Sequence, residues 1–162
     1  MATKSPIGTV GWMVRGAAAG AAATTALNAV TYLDMVVRGR GASSTPENTV
    51  EKMAATAHVP IPGDEEKRHN RVQGLGPLMG LVAGVGVGVL AGLARASGVR
   101  SSKPVGITLT TLVVLVAANG PMTVLGVTDP RTWSATDWIS DVVPHLAYGV
   151  VVKTTMDAFD RR

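Results

Sequence analysis

Asp141 and His145 stand four residues apart, so a helix places them one turn apart on a single face. A carboxylate beside an imidazole supports two kinds of chemistry. The pair can relay a proton, because histidine titrates near neutral pH and a neighbouring carboxylate tunes it. It can also supply two ligands to a metal ion, with Asp34 and Asp137 as the only candidates for the third and fourth. A structural pair at a membrane boundary is the third reading. Asn28 adds an amide, with Thr24, Thr31 and Asp34 on the same broad helix face. It reads either as a hydrogen-bonding group between helices or as part of a polar path. Asp34 lies one turn before Arg38 and reads as an interfacial carboxylate paired with it. Lys153 and Asp157 repeat the spacing as an ion pair, with the lysine able to reach towards a membrane surface.

Other chemistries find no residues. The chain has no cysteine, which removes thiolate catalysis, disulfides and zinc–sulfur sites together. It has no Gly-x-Ser-x-Gly elbow and no His-Glu-x-x-His. Gly84-Val85-Gly86-Val87-Gly88 superficially suggests a phosphate loop but lacks the Lys-Ser/Thr end and lies inside an apolar helix. The net charge of +4 is spread along the chain, and no basic run is interleaved with aromatics. No nucleic-acid partner, cofactor or metal is expected, and no residue is expected to be catalytic.

The elements that must hold these groups are set by hydropathy. One Phe, three Trp and two Tyr in 162 residues are few for a soluble core, since aromatics supply so much buried area. A spanning helix needs about 20 apolar residues. Residues 72–94 and 104–128 are uncharged throughout, and eighteen uncharged residues separate Arg15 from Asp34. Lys4 ahead of an Ala-rich stretch resembles a secretion signal, but Arg15 interrupts the apolar region, so that stretch is expected to remain as a span. A fourth segment, near 137–159, is the poorest, because only 142–152 lies between Asp141 and Lys153. The expected fold is therefore all-α: one membrane domain over residues 1–162, a bundle of four transmembrane helices near 12–36, 74–96, 104–127 and 137–159. Trp12 at one face, and Trp133 and Trp138 at the other, suit interfacial anchoring. The connection 38–73 should form a helical loop outside the membrane, with Thr45 as N-cap, Pro46 in the first turn and Asp64 capping a second start. Asn119-Gly120-Pro121 should kink or end the third span.

The spacing also predicts how the helices pack. Gly76, Gly80, Gly84, Gly88 and Gly92 fall at every fourth position. Each glycine costs about 1 kcal/mol in a water-exposed helix, whereas in lipid a smooth ridge lets another helix approach closely. Gly16, Gly20, Thr24 and Asn28 form a second ridge, and Asp141, His145, Gly149, Lys153 and Asp157 a third.

The stretch from Asn119 through Pro121, Met122, Leu125-Gly126 and Asp129-Pro130, followed by Trp133, Trp138, Asp141, His145-Leu146 and Tyr148-Gly149, resembles the end of the YagU-like family of small bacterial inner-membrane proteins. The resemblance covers residues 119–149 and implies a bacterial inner-membrane location. It brings no catalytic residues. The function expected from all this is a non-enzymatic multi-pass protein, a packing or accessory subunit of a homo-oligomer or a larger membrane complex joined through the glycine ridge. The alternative is a small, possibly proton-linked, channel or transporter with a path lined by Asn28, Asp34, Asp141 and His145. The lipid bilayer is the first partner in either case. The Lys/Arg count is nearly even between the two sides; the short basic turn at 96–103 favours a cytoplasmic N-terminus.

Overall fold

A computed structural model describes residues 7–161. The described residues form helices α1 (Thr9–Arg38), α2 (Thr45–Thr56), α3 (Glu65–Ala96), α4 (Lys103–Val124) and α5 (Ala135–Asp160), with one short 3-10 turn at Pro130–Thr132. The four long helices contain the four segments expected as spans, to within about three residues except where α3 begins early. That helix starts at Asp64, whose side chain accepts from the Lys67 amide at 2.9 Å, and runs through the polar 65–71 stretch into the glycine segment without a break. The α2 cap falls one residue earlier than expected. Ser44 is the N-cap and Thr45 the first helical residue, because Ser43 Oγ accepts from the Thr45 amide. Pro121 lies within the last turn of α4, which ends at Val124.

Two of the helices, α3 and α4, are long and apolar enough to cross a membrane, and only 22% and 17% of their apolar stretches are buried. A core helix of a soluble protein would be covered. Here Leu78, Leu81, Val82 and Leu90 on α3, and Leu109, Leu112, Val113 and Val116 on α4, face outward. Helices α1 and α5 do not meet the same standard, so four spans do not follow from apolarity alone. The α1 run is mostly Ala, Gly and Thr, and α5 carries Asp141, Lys153 and Asp157.

The long helices alternate in direction. Gly16 and Gly20 meet Gly84, Gly88 and Gly92, so α1 runs antiparallel to α3. A Cβ on Gly88 would lie 2.6 Å from Gly20 Cα, and one on Gly20 would lie 2.7 Å from the Gly84 carbonyl oxygen. These are backbone-to-backbone approaches that no side chain permits. Two of the three ridges thus pack on each other within one chain. The ladder is a free surface only in part: Gly84, Gly88 and Gly92 are covered by α1, Gly76 lies against Glu47 of α2, and only around Gly80 would a Cβ meet nothing. Asn28 leaves the α1 ridge altogether and is exposed. Each i+4 step turns 400°, 40° past a full turn, so a row that is buried at Gly16 and Gly20 has rotated outward by Asn28.

The third ridge packs on α4. A Cβ on Gly149 would lie 2.9 Å from the Ile107 carbonyl oxygen, and Gly106 leaves room for the Lys153 stem. With Asn119 bonded to Asp141, the pairs 106/153, 111/149 and 119/141 define an antiparallel register. Trp12, Ala19, Ala23, Val87, Val114, Tyr148, Val152 and Met156 fill the core. The Tyr148 hydroxyl donates to the Gly84 carbonyl at 2.5 Å, which ties α5 to α3 at the level of the glycine crossing. Trp12 is 2% exposed, so its ring plugs one end of the core and does not project from the surface as an anchor. Trp133 and Trp138 do pair near the other end, edge to face at 5.0 Å.

Two outcomes follow. Gly88→Ala should lower stability by about 2 kcal/mol, as overpacking of a fixed contact does, while Gly80→Ala should be neutral; thermal unfolding in mild detergent compares them. At the start of α3, the Lys67 side chain and amide hold the Asp64 carboxyl below its ordinary value. That stabilisation is complete above the ordinary carboxylate range and is lost as pH falls through the lowered value. The protection factor of the Lys67 amide against exchange should fall on acidification, and Asp64→Asn should flatten the dependence.

Candidate functional site

The polar side chains gather at the two ends of the bundle. At the end where α1 finishes, Asp34 accepts from Arg40 Nε at 2.6 Å and pairs with Arg38 at 3.4 Å. Arg38 also donates to Ser140 Oγ at 2.5 Å, which joins α1 to the first turns of α5. The Asp34–Arg38 pair is where the spacing placed it, and Arg40 is an addition that arrives because Gly39 turns the chain back with φ of 62°.

Asp141 and His145 are adjacent, as the spacing required. Asn119 Nδ2 donates to Asp141 Oδ2 at 2.8 Å, and His145 Nδ1 lies 2.6 Å from the Asp141 carbonyl oxygen and 3.5 Å from Oδ1. The short backbone contact makes Nδ1–H the donor in the neutral ring and leaves Nε2 as the acceptor. His145 is buried and the Asp141 side chain is 19% exposed. The arrangement is a linked carboxylate, amide and imidazole between α4 and α5. Asn119, whose place beside Gly120-Pro121 marks only a helix break in the sequence, completes this group.

The other two metal candidates are engaged elsewhere. Asp34 serves the arginines of α1, and Asp137 accepts from the Ser134 hydroxyl and amide in a capping box at the start of α5. No three His, Asp or Glu side chains converge among the described residues. The four residues expected to line a polar path lie apart within the one chain. Asn28 is exposed on the outside of α1, Asp34 is at the bundle end, and Asp141 and His145 face α4.

At the opposite end lies a charge network only partly visible in the spacing. Lys153 donates to Asp157 at 2.6 and 2.7 Å, as its i+4 position suggests. Arg95, from the last turn of α3, bridges Asp157 at 2.5 Å and Asp160, and Arg100 reaches Asp160 at 3.2 Å. The side chains of Lys153 and Arg95 are 7% and 9% exposed. The signal for Arg95 was its place three residues after Gly92, on the buried face of the ladder helix. The same end holds Arg15, which donates to the Phe159 carbonyl at 3.1 Å and stands over the rings of Trp12 and Phe159.

Outside the bundle, α2 folds back on the first half of α3, held by an Arg68–Glu51 pair at 2.6 Å. Between them an open groove of about 800 Å³ is lined by Val50, Ala54, Ile61, Leu75 and Leu78 among others. Val50 and Ala54 are one turn apart on the α2 face that borders it.

No protein-family model, no curated protein and no solved structure matches the chain.

Removing one member of a buried ion pair costs about 3 kcal/mol or more, because the partner stays buried without its charge. Arg95→Met should therefore lower thermal stability strongly. Arg95→Lys should recover only part of it, since one ammonium cannot bridge two carboxylates as a guanidinium does. Unfolding temperatures of the three proteins in detergent check the order.

Proposed function

We propose that this chain is a four-pass membrane protein acting as a non-enzymatic packing or accessory subunit, and that its contact surface is the outer face of α1. The four-pass part rests on packing. If α3 and α4 cross a bilayer, α1 and α5 share their depth, because the glycine crossing and the Gly149–Thr111 contact lie beside the apolar middles of α3 and α4. Arg15 and Asp34 bracket about 28 Å of α1, close to the thickness of a hydrocarbon core. The charges of α5 that interrupt its apolar run, Asp141 and Lys153, face protein partners and not lipid.

One observation carries the subunit reading. Asn28 is exposed, its side chain makes no hydrogen bond among the described residues, and it lies about 9 Å inside the Asp34 level. Ala21, Ala22, Thr25 and Ala29 are exposed around it, and Thr25 bonds only the Ala21 carbonyl of its own helix. An amide with no partner is costly in hydrocarbon, and small residues beside it let a second helix come close. A carboxamide both donates and accepts, so a second copy of the same helix is a self-complementary partner. The packing surface is thus moved from the ladder, which α1 already covers, to the far side of α1.

The lipid bilayer and another copy or a larger membrane complex are the partners of this reading. The location proposed is a bacterial inner membrane, supported by the likeness of residues 119–149 to the YagU-like proteins. The end holding Arg15, Arg95, Arg100, Lys103, Lys153 and Arg161 against Asp157 and Asp160 is proposed to face the cytoplasm, with the N-terminus.

The test is the mass of the particle extracted in mild detergent, with any co-purifying chains identified. An oligomer that Asn28→Leu converts to a folded monomer, and Asn28→Gln preserves, is the expected result. A stoichiometric larger partner would make the chain that partner's accessory subunit. A lone wild-type monomer would overturn the reading.

A further inference from the structure

The end of the bundle where α1 begins holds donors that the fold does not use. Trp12 is 2% exposed, yet its indole Nε1–H has no hydrogen-bond partner. Buried donors are nearly always satisfied, so an orphan of this kind calls for an acceptor that the described residues do not supply. Two other buried side-chain atoms share that condition among the described residues, Glu47 Oε2 and Thr111 Oγ1. Neither has cations around it to recruit an anion: Glu47 is itself an acid, packed on Gly76, and Thr111 faces Gly149 in the middle of the bundle.

Trp12 has such cations. The guanidinium carbon of Arg15 lies 5.4 Å from its ring centroid, and that of Arg100 lies 5.6 Å from it. Arg15 has no carboxylate partner among the described residues, and its one hydrogen bond goes to the Phe159 carbonyl. Arg100 shares Asp160 with Arg95 and donates from Nη1 to the Arg95 and Val99 carbonyls, which leaves its Nε–H and part of Nη2 unused, and Asp157 is taken by Arg95 and Lys153. The local acids are therefore saturated while positive charge remains. Lys103, exposed at the first position of α4, adds to the surplus. Apolar side chains lie within a few residues of each arginine: Val14 on α1, and Val99 and Val105 on either side of the α3–α4 turn, all more than half exposed or at half exposure.

We propose that Trp12, Arg15 and Arg100 bind the phosphate group of an anionic phospholipid at the membrane face where α1 begins. Guanidinium groups match phosphate oxygens with paired N–H donors, and the indole N–H supplies one more. Inorganic phosphate offers the same oxygens. The exposed valines beside the arginines favour the lipid, whose acyl chains would lie along them. Basic pockets between membrane helices are a recurrent form of head-group recognition. The inference rests on the membrane reading above, but not on the subunit reading.

The full chain, purified in a neutral detergent, is mixed with equal amounts of phosphatidylglycerol and phosphatidylcholine, and retained lipid is read by native mass spectrometry. Wild type should retain phosphatidylglycerol roughly fivefold or more over phosphatidylcholine, the factor expected for one cation near an anionic head group. Trp12→Phe, which keeps the ring and removes the N–H, and Arg100→Gln should each bring the ratio towards one. Arg100 is on an exposed turn, so its variant tests the site even where the core variant fails to fold. Arg161→Gln, a cation at the same end outside the site, should leave the ratio unchanged. Equal retention of both lipids, or an equal loss in Arg161→Gln, would overturn the proposal. Stabilisation against heat by inorganic phosphate alone, equal to that by phosphatidylglycerol, would retain the anion site and overturn the lipid. A chain that stays dispersed without detergent would defeat the membrane reading, and phosphate protection of it would still report on the donors.

Discussion

The crossing of α1 and α3 at Gly16, Gly20, Gly84, Gly88 and Gly92 is the contact on which the rest of the bundle depends. It is a meeting of two backbones, with Gly20 Cα where a Gly88 side chain would have to be. Dispersion falls away steeply with separation, so the many small contacts of such an approach are lost together if the helices are forced apart. The crossing fixes which faces of α1 and α3 look inward. It also sets the level at which α5 docks, through the Tyr148 hydroxyl on the Gly84 carbonyl. Away from the crossing the rows drift around their helices, which leaves Gly80 open and Asn28 on the outside.

Around that contact the polarity of a soluble protein is reversed. Charged and polar groups at bundle depth point inward to partners: Lys153 to Asp157, Arg95 to Asp157 and Asp160, Asp141 to Asn119. The outside of α3 and α4 is largely Val and Leu. Inward charge is tolerable because each group is paired, and an apolar exterior is stable only where something other than water covers it. The weak hydropathy of α5 has the same origin, since its interrupting charges belong to the α4 and α3 interfaces.

A fold whose interior polar groups are mostly satisfied leaves few to explain its role. The linked Asn119, Asp141 and His145 tie α4 to α5 as a joint, and the Arg95 network ties α3 to α5 at the other end. The groups without a partner among the described residues are the Asn28 amide on the outer face of α1 and three buried atoms, the Trp12 indole N–H, Glu47 Oε2 and Thr111 Oγ1. On the two proposals made above, another helix meets the amide and a head group meets the indole N–H.

Much of the chain was legible before the structure. Apolar length and capping residues located the helices, including the Asp64 start and the break after Pro121. The i, i+4 rule placed Asp141 beside His145, Asp34 beside Arg38 and Lys153 beside Asp157, because spacing along one helix is a local property of its 3.6-residue turn. The same rule marked the glycine ridges but not what they face. That Gly88 meets Gly20 and not another copy, that Asn119 joins Asp141, that Arg95 crosses to α5 and that Trp12 is buried all depend on pairing between distant segments. A helix's periodicity names its faces, whereas the neighbour each face receives is chosen by the direction and register of other helices. Only the assembled bundle contains that choice.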